Sequence, residues 1–176
     1  LAAGDGKRMK SDKPKVLAEV LFQPMLGWVL DAAKDFGFDE TAVVTGFGAE
    51  LTGGYVSSRG EAVTLCHQAQ QKGTGDAVKS AEDVISRCDA VCVLNGDAPF
   101  IDADTLRASL ELHTSSNSEV TVITADIDDP QGYGRIIRSS GEFTAIREQK
   151  DCSPAEAEIC EVNSGAYWFS AKALLQ

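Results

Sequence analysis

Short apolar, β-prone runs alternate with amphipathic stretches along most of the chain, and this alternation restricts its fold more than any other feature. Gly27 to Phe36 carries apolar residues at helical spacing, Thr41 to Thr45 reads as a strand, Gly75 to Ser86 as a helix and Ala90 to Leu94 as a strand. A helix over Asp104 to His113 and a buried strand over Glu119 to Ala125 continue the series. Strands alternating with helices require crossover connections, which place helices on both faces of a mostly parallel sheet. Beyond Ala125 the rhythm changes. Gly134 to Arg138, Phe143 to Glu148 and Asn163 to Phe169 are short strand-like pieces separated by turn residues, so a small antiparallel or mixed β lobe attached to the sheet is expected. The expected fold class is α/β. In open sheets of this kind ligands bind outside the carboxyl ends of the strands, and the loops with unusual residues here follow strands.

With 176 residues, 43% of them hydrophobic, and only five prolines, the chain can bury one substantial core and is expected to form one domain. Sixteen basic against twenty-seven acidic residues give a net charge of −11, which argues against a broad surface for nucleic acid or an anionic membrane. Any phosphate site has to be local. The five cysteines (Cys66, Cys88, Cys92, Cys152, Cys160) are odd in number and show no C-x-x-C pair, which fits a reduced cytoplasm. No stretch approaches the ~20 apolar residues a bilayer span needs, and the first ten residues turn basic and polar too soon for a signal peptide. Leu1-Ala2-Ala3-Gly4 reads as the end of a strand and Leu174-Leu175-Gln176 as the beginning of an element, so both ends are expected to be cut from a longer polypeptide.

The run from Leu1 to Met9 puts Gly4, Gly6, Lys7 and Arg8 directly after that strand end, with Lys10, Lys13 and Lys15 close behind. Glycines let backbone N–H groups approach phosphate oxygens and the cations offset their charge, so the segment can cradle a triphosphate. Taken alone, the glycines serve equally as a surface turn with solvated lysines. The spacing is neither G-x-G-x-x-G nor G-x-x-x-x-G-K-[ST], so dinucleotide-binding and P-loop readings lack support.

Continued through Pro14-Lys15-Val16-Leu17, this segment resembles the L-A-A-G-x-G-x-R-M…P-K-x-L signature of the sugar nucleotidyltransferase superfamily. The resemblance implies a Rossmann-like nucleotidyltransferase fold in which Arg8 and Lys15 hold the triphosphate and balance charge in the transition state. Leu1, Ala2, Ala3 and Gly4 would lie against the nucleotide. Elementary chemistry agrees, because phosphoryl-type transfer asks the protein chiefly for positioning and charge stabilisation.

Gln68 to Ala77 leads from a strand into a helix and resembles the superfamily's Q-x-x-x-x-G-T-x-x-A motif. On that match Gln68, Gly73 and Thr74 read uracil, and a glutamine amide does offer the donor and acceptor a uracil edge requires. The same polar residues, taken alone, also suit a helix cap around Thr74 or Asp76. Asp97 follows a buried strand in Asn95-Gly96-Asp97-Ala98-Pro99, which resembles G-D-x-P and implies a ligand for Mg²⁺ carried by the nucleotide phosphates. By itself an aspartate before a proline is as often a turn former. Asn95 departs from the aromatic residue common at that position. The resemblance also implies a second metal ligand beyond Gln176.

Asp129 to Ile136 resembles the D-P-x-G-Y-G-R-I string of N-acetylglucosamine-1-phosphate uridyltransferases, and Ile146 to Asp151 and Glu161 to Gly165 resemble their V-E-x-K-D and E-x-N-x-G motifs. This implies sugar contacts from the Gly134 backbone, the Glu148 carboxylate and the Asn163 amide. Each has a plainer reading in isolation: a turn, a surface ion pair, a strand-end cap. Arg147 and Ser164 depart from the residues usual there. His67 and His113 are the only histidines; His113 falls near the end of a helix and is expected at the surface. No Ser/His/Asp or Cys/His set is evident, so covalent catalysis is not favoured.

The implied reaction joins UTP to N-acetylglucosamine 1-phosphate with Mg²⁺ and releases pyrophosphate, supplying UDP-N-acetylglucosamine for peptidoglycan and other cell-envelope precursors. Another sugar or nucleotide pair, or a non-catalytic sugar-nucleotide-binding module, is the alternative. Relatives of this kind often carry a hexapeptide-repeat acetyltransferase domain that would make the protein a homotrimer; those repeats are not in this sequence.

Overall fold

The computed structural model describes residues 1–4, 6 and 13–176. Its contacts divide into two compact units, Leu1–Thr121 with Trp168–Gln176, and Val122–Tyr167.

In the first unit a 3-10 turn, Lys15–Leu17, precedes an antiparallel hairpin of β1 (Glu19–Val20) and β2 (Gln23–Pro24). Its turn residues Leu21 and Phe22 have positive φ, 52° and 68°, the sign a two-residue type I′ turn requires and one that usually selects Gly or Asn. In α1 (Met25–Phe36) the buried Met25, Leu26, Val29, Leu30, Ala32 and Ala33 form one apolar stripe. Gly37, at φ 89°, ends the helix in the left-handed conformation while donating to the Ala33 carbonyl at 3.1 Å.

β3 (Ala42–Thr45) and β4 (Thr64–His67) pair in parallel, Ala42 opposite Thr64 and Thr45 opposite His67, with α2 (Ala49–Ser58) as their crossover. Ala2 bridges in parallel to Thr45, and its N–H donates to the Val44 carbonyl at 2.8 Å. On the other side Leu1 meets the end of β5 (Ala90–Val93): its ammonium donates to the Leu94 carbonyl at 2.5 Å and its carbonyl accepts from Gly96 at 2.8 Å. Ala2 packs with Val16, Leu26, Leu30, Val43 and Val56, whereas Ala3 packs with Val44, Ala77, Ala81, Ile85 and Ala171. Successive residues of an extended segment face opposite ways, so this strand end is buried on both sides. Between β3 and β5, Val29, Ala33, Val43, Ile85 and Val91 are among the apolar residues around a cavity of about 150 Å³.

The expected helix over Gly75 to Ser86 is two: α3 (Thr74–Lys79) and α4 (Glu82–Ile85), broken at Ser80 and Ala81. α5 (Ala103–Ser115) is capped by Asp102, whose carboxylate accepts the Thr105 N–H at 2.8 Å. His113, expected at the surface, is buried at 4% exposure. Its Nδ1 lies 2.9 Å from Thr121 Oγ1 and its ring stacks on Trp168 at 6.4 Å. Leu106 and His113, seven residues apart, share the inward face of α5.

The strand expected to be buried over Glu119 to Ala125 is β6 (Val120–Asp126), in which only Ile123 is buried. In the second unit β7 (Arg135–Ser139) and β8 (Glu142–Arg147) pair antiparallel with a bulge between Ile137 and Arg138. Their turn, Ser140 and Gly141, has positive φ at both residues, as a tight hairpin demands. α6 (Pro154–Ala157) opens with a capping box between Ser153 and Glu156. β9 (Glu161–Ser170) sets Val162 antiparallel to Arg135, and α7 (Ala171–Leu174) follows. Among the described residues no helix is long and apolar enough to cross a membrane.

Candidate functional site

In the first unit the loops after three extended segments converge on a cavity of about 590 Å³, and Leu1 to Gly4, Lys15, Gln68, Gly73, Thr74 and Asp97 all line it. Arg8, the other cation assigned to the triphosphate, lies outside the described residues. Lys15 Nζ donates to Asp97 Oδ2 at 2.6 Å, joining residues 82 apart in sequence. Both side chains are more than a third exposed, so the pair is open to solvent and to exchange of partners.

Gln68 sits at the end of β4, 4% exposed. Its N–H donates to the Thr45 carbonyl at 2.8 Å, and its side-chain Nε2 donates to the Gly73 carbonyl at 3.1 Å and to Asp76 Oδ2 at 2.8 Å. Gly73 has φ 115° and ψ −179°, a backbone open in practice to glycine alone. Gly73 is the N-cap residue of α3, and Asp76 lies in the helix's first turn. Gln71, not singled out in the sequence, donates from Nε2 to the Ala3 carbonyl at 2.9 Å and lines the same cavity with Gly6 and Asn95.

In the second unit Gly134, Glu148 and Asn163 come together. A side chain on Gly134 would meet Ile146 Cγ2 at 3.0 Å, Glu148 Oε1 at 3.4 Å and Asn163 Cβ at 3.7 Å. The Gly134 carbonyl accepts from Asn163 N–H at 2.8 Å. The Asn163 amide donates to Tyr167 Oη at 2.6 Å and accepts from Gly165 N–H at 3.0 Å, which leaves each end of the amide one further position. Behind them Arg135, 1% exposed, donates to the carbonyls of Tyr133 and Ala157 and to Gln149 Oε1 at 2.7 Å.

Residues 1–154 match the MobA-like NTP transferase domain. The chain belongs to that family. This NTP transferase chain is 45% identical over 168 residues to the bifunctional protein GlmU of Caldanaerobacter subterraneus subsp. tengcongensis, covering 95% of the chain and 36% of that protein. It is 44% identical over 178 residues to the bifunctional protein GlmU of Clostridium acetobutylicum, covering 100% of the chain and 39% of that protein. The chain thus spans under two fifths of the length of these relatives. Among solved structures, a putative glucose-1-phosphate thymidylyltransferase from Bacillus anthracis superposes with a TM-score of 0.81 over 99% of this chain and 71% of its own, at 23% identity. UDP-glucose pyrophosphorylase complexed with UDP-glucose gives 0.78 over 97% of this chain and 74% of its own, at 18% identity. These two likenesses establish the α/β nucleotidyltransferase fold.

Within the described part of this NTP transferase domain no group of three or more His, Cys, Asp and Glu could hold a metal by itself. One partly exposed carboxylate, Asp97, lines the cavity of about 590 Å³. That donor set fits Mg²⁺, which is commonly held by one or two carboxylates together with substrate phosphates rather than by an all-protein cage. Burial pushes the Cys92 thiol on β5 up to about 12, so it stays protonated at neutral pH and is a poor nucleophile.

Proposed function

We propose that the chain transfers UMP from UTP to N-acetylglucosamine 1-phosphate, giving UDP-N-acetylglucosamine and pyrophosphate. The observation that carries this reading is the convergence of an amide (Gln68), a glycine turn (Gly73, Thr74), a cation (Lys15) and a carboxylate (Asp97) on one cavity of about 590 Å³. A base, a triphosphate and a metal ask for those groups. The relatives named bifunctional protein GlmU support the uridyl choice.

In the proposed reaction a phosphate oxygen of the sugar phosphate attacks the α-phosphorus of UTP, and the bond from that phosphorus to the oxygen bridging to the β-phosphate breaks. Pyrophosphate leaves with that bond's electron pair. The attacking oxygen is already anionic, so no side-chain base is required. Lys15 leaves Asp97 for the phosphates and offsets charge on the reacting oxygens, with Arg8 as second cation. Asp97, once released, would supply an oxygen ligand for Mg²⁺. The ion, when bound, adds Lewis-acid neutralisation of the phosphate charge. Leu1 to Gly4 form the floor under the nucleotide. Gly134 through its backbone, Glu148 as acceptor and Asn163 as donor and acceptor take the N-acetyl sugar. The five free thiols fit work in a reduced cytoplasm.

Lys15→Ala tests the assignment. Removing one donor aimed at developing charge lowers kcat on the order of a hundredfold or more, read as pyrophosphate release at saturating substrates, while the melting curve stays near that of the wild type. Unchanged kcat would remove Lys15 from the reaction.

A further inference from the structure

The side-chain amide of Gln68 is held by two groups that can only accept: the Gly73 carbonyl at 3.1 Å and the Asp76 carboxylate at 2.8 Å. An amide facing two acceptors must turn its NH₂ toward them, whichever way its two ends were first assigned. Both N–H bonds are thereby spent. The other end, Oε1, has no hydrogen-bond partner among the described residues, and it is not one of the fully buried, unpartnered side-chain atoms. Since Gln68 lines the nucleotide cavity while being only 4% exposed, that oxygen is the part of the amide left for a ligand. It is an acceptor, so the ligand edge that meets it has to bring a donor.

Asp76 is not among the residues around the cavity. It stands behind Gln68 in the first turn of α3, is not used to cap that helix, and contacts the base-reading glutamine instead. We propose that Asp76 is a positioning residue for base selection: by fixing the Gln68 amide it presents Oε1 to the base and favours uracil, whose N3 carries a hydrogen, over cytosine, whose N3 is an acceptor. The inference rests on the uridyltransferase reading and deepens it. A hydrogen bond to a charged group orients more firmly than one to a neutral carbonyl. Without Asp76 only the longer bond to Gly73 opposes rotation of the amide, and a rotated amide offers its NH₂ to cytosine N3.

The test is calorimetric titration of the protein with UTP and with CTP, both with Mg²⁺, in wild type, Asp76→Ala and Asp76→Asn. The expected result is that Asp76→Ala lowers the ratio of UTP to CTP affinity roughly tenfold, mostly through weaker UTP binding. Asp76→Asn, whose amide oxygen still accepts from Gln68, keeps the ratio within about threefold of the wild type. Asp76→Ser, too short to reach the amide, gives the same readout as alanine should that variant not fold. A merely structural role for Asp76 weakens both nucleotides together; an unchanged ratio in the alanine or serine variant overturns the proposal and leaves the uridyltransferase reading standing. A wild-type protein with no preference for UTP overturns that reading, and this inference with it.

Discussion

Asp31 on α1 accepts from Gln23 Nε2 at 2.7 Å and from Arg59 at 2.5 Å, and Arg59 also donates to Glu61 at 2.8 Å. Partial burial acts to raise the Asp31 pKa, but the hydrogen bonds from Gln23 and Arg59 outweigh it and hold the carboxyl below its ordinary value. A depressed carboxyl contributes stability that is present above the ordinary value of about 3.9 and is lost as the pH falls through its folded value. Asp31→Asn is therefore expected to flatten the fall of Tm on going from about pH 4 toward pH 2; an identical acid limb in the variant would contradict this. What short motifs make legible at this scale is position: Lys15, Gln68 and Asp97, each singled out by such a motif, line one cavity. Gln71, Asp76 and Arg135 were not legible in this way. Their partners include the Ala3 carbonyl, 68 positions away, a glutamine amide and the Ala157 carbonyl, 22 positions away, and no local pattern announces a bond of that kind.

α1 and α5 pack against each other next to Trp168, which is 2% exposed. Its indole N–H donates to Ser109 Oγ at 2.9 Å, and its ring lies among Phe36, Phe38 and His113 with centroids 5.7 to 6.4 Å away. Trp168→Ala removes the largest side chain of this cluster and is expected to cost about 3–5 kcal/mol, measured by urea unfolding. A loss under ~1 kcal/mol, the scale of the single hydrogen bond to Ser109, would show that the cluster does not join these helices. Elements with strong periodicity, α1, β3, β5 and α5, are readable from the sequence to within one or two residues of their ends. The hairpin of β1 and β2 is hidden because Leu21 and Phe22 occupy a turn whose backbone usually signals itself through Gly or Asn. α2 is hidden because Gly53 and Gly54 interrupt its pattern. His113 was misplaced because a polar residue near a helix end reads as exposed unless the neighbouring tryptophan is known.

For the molecule as a whole, a net charge of −11 leaves a local pocket as the natural way to hold an anionic ligand, and Lys15, paired to Asp97, lines such a pocket. The parallel pair β3 and β4 and the extended Leu1 to Ala3 place that pocket at the carboxyl ends of the strands, where α/β sheets bind ligands. Alternation of strands and helices made this placement legible. The antiparallel pairs of the second unit were legible as short strands only, since which strand pairs with which depends on contacts distant in sequence. The activity proposed for the molecule is that of a uridyltransferase for N-acetylglucosamine 1-phosphate. Its most direct test is Mg²⁺-dependent pyrophosphate release by the full protein across pairs of UTP, dTTP or CTP with N-acetylglucosamine 1-phosphate or glucose 1-phosphate. The expected kcat/KM is at least tenfold higher for UTP with N-acetylglucosamine 1-phosphate than for every other pair, about 1.4 kcal/mol of discrimination. Preference for another pair, or nucleotide binding with no pyrophosphate released, would contradict it.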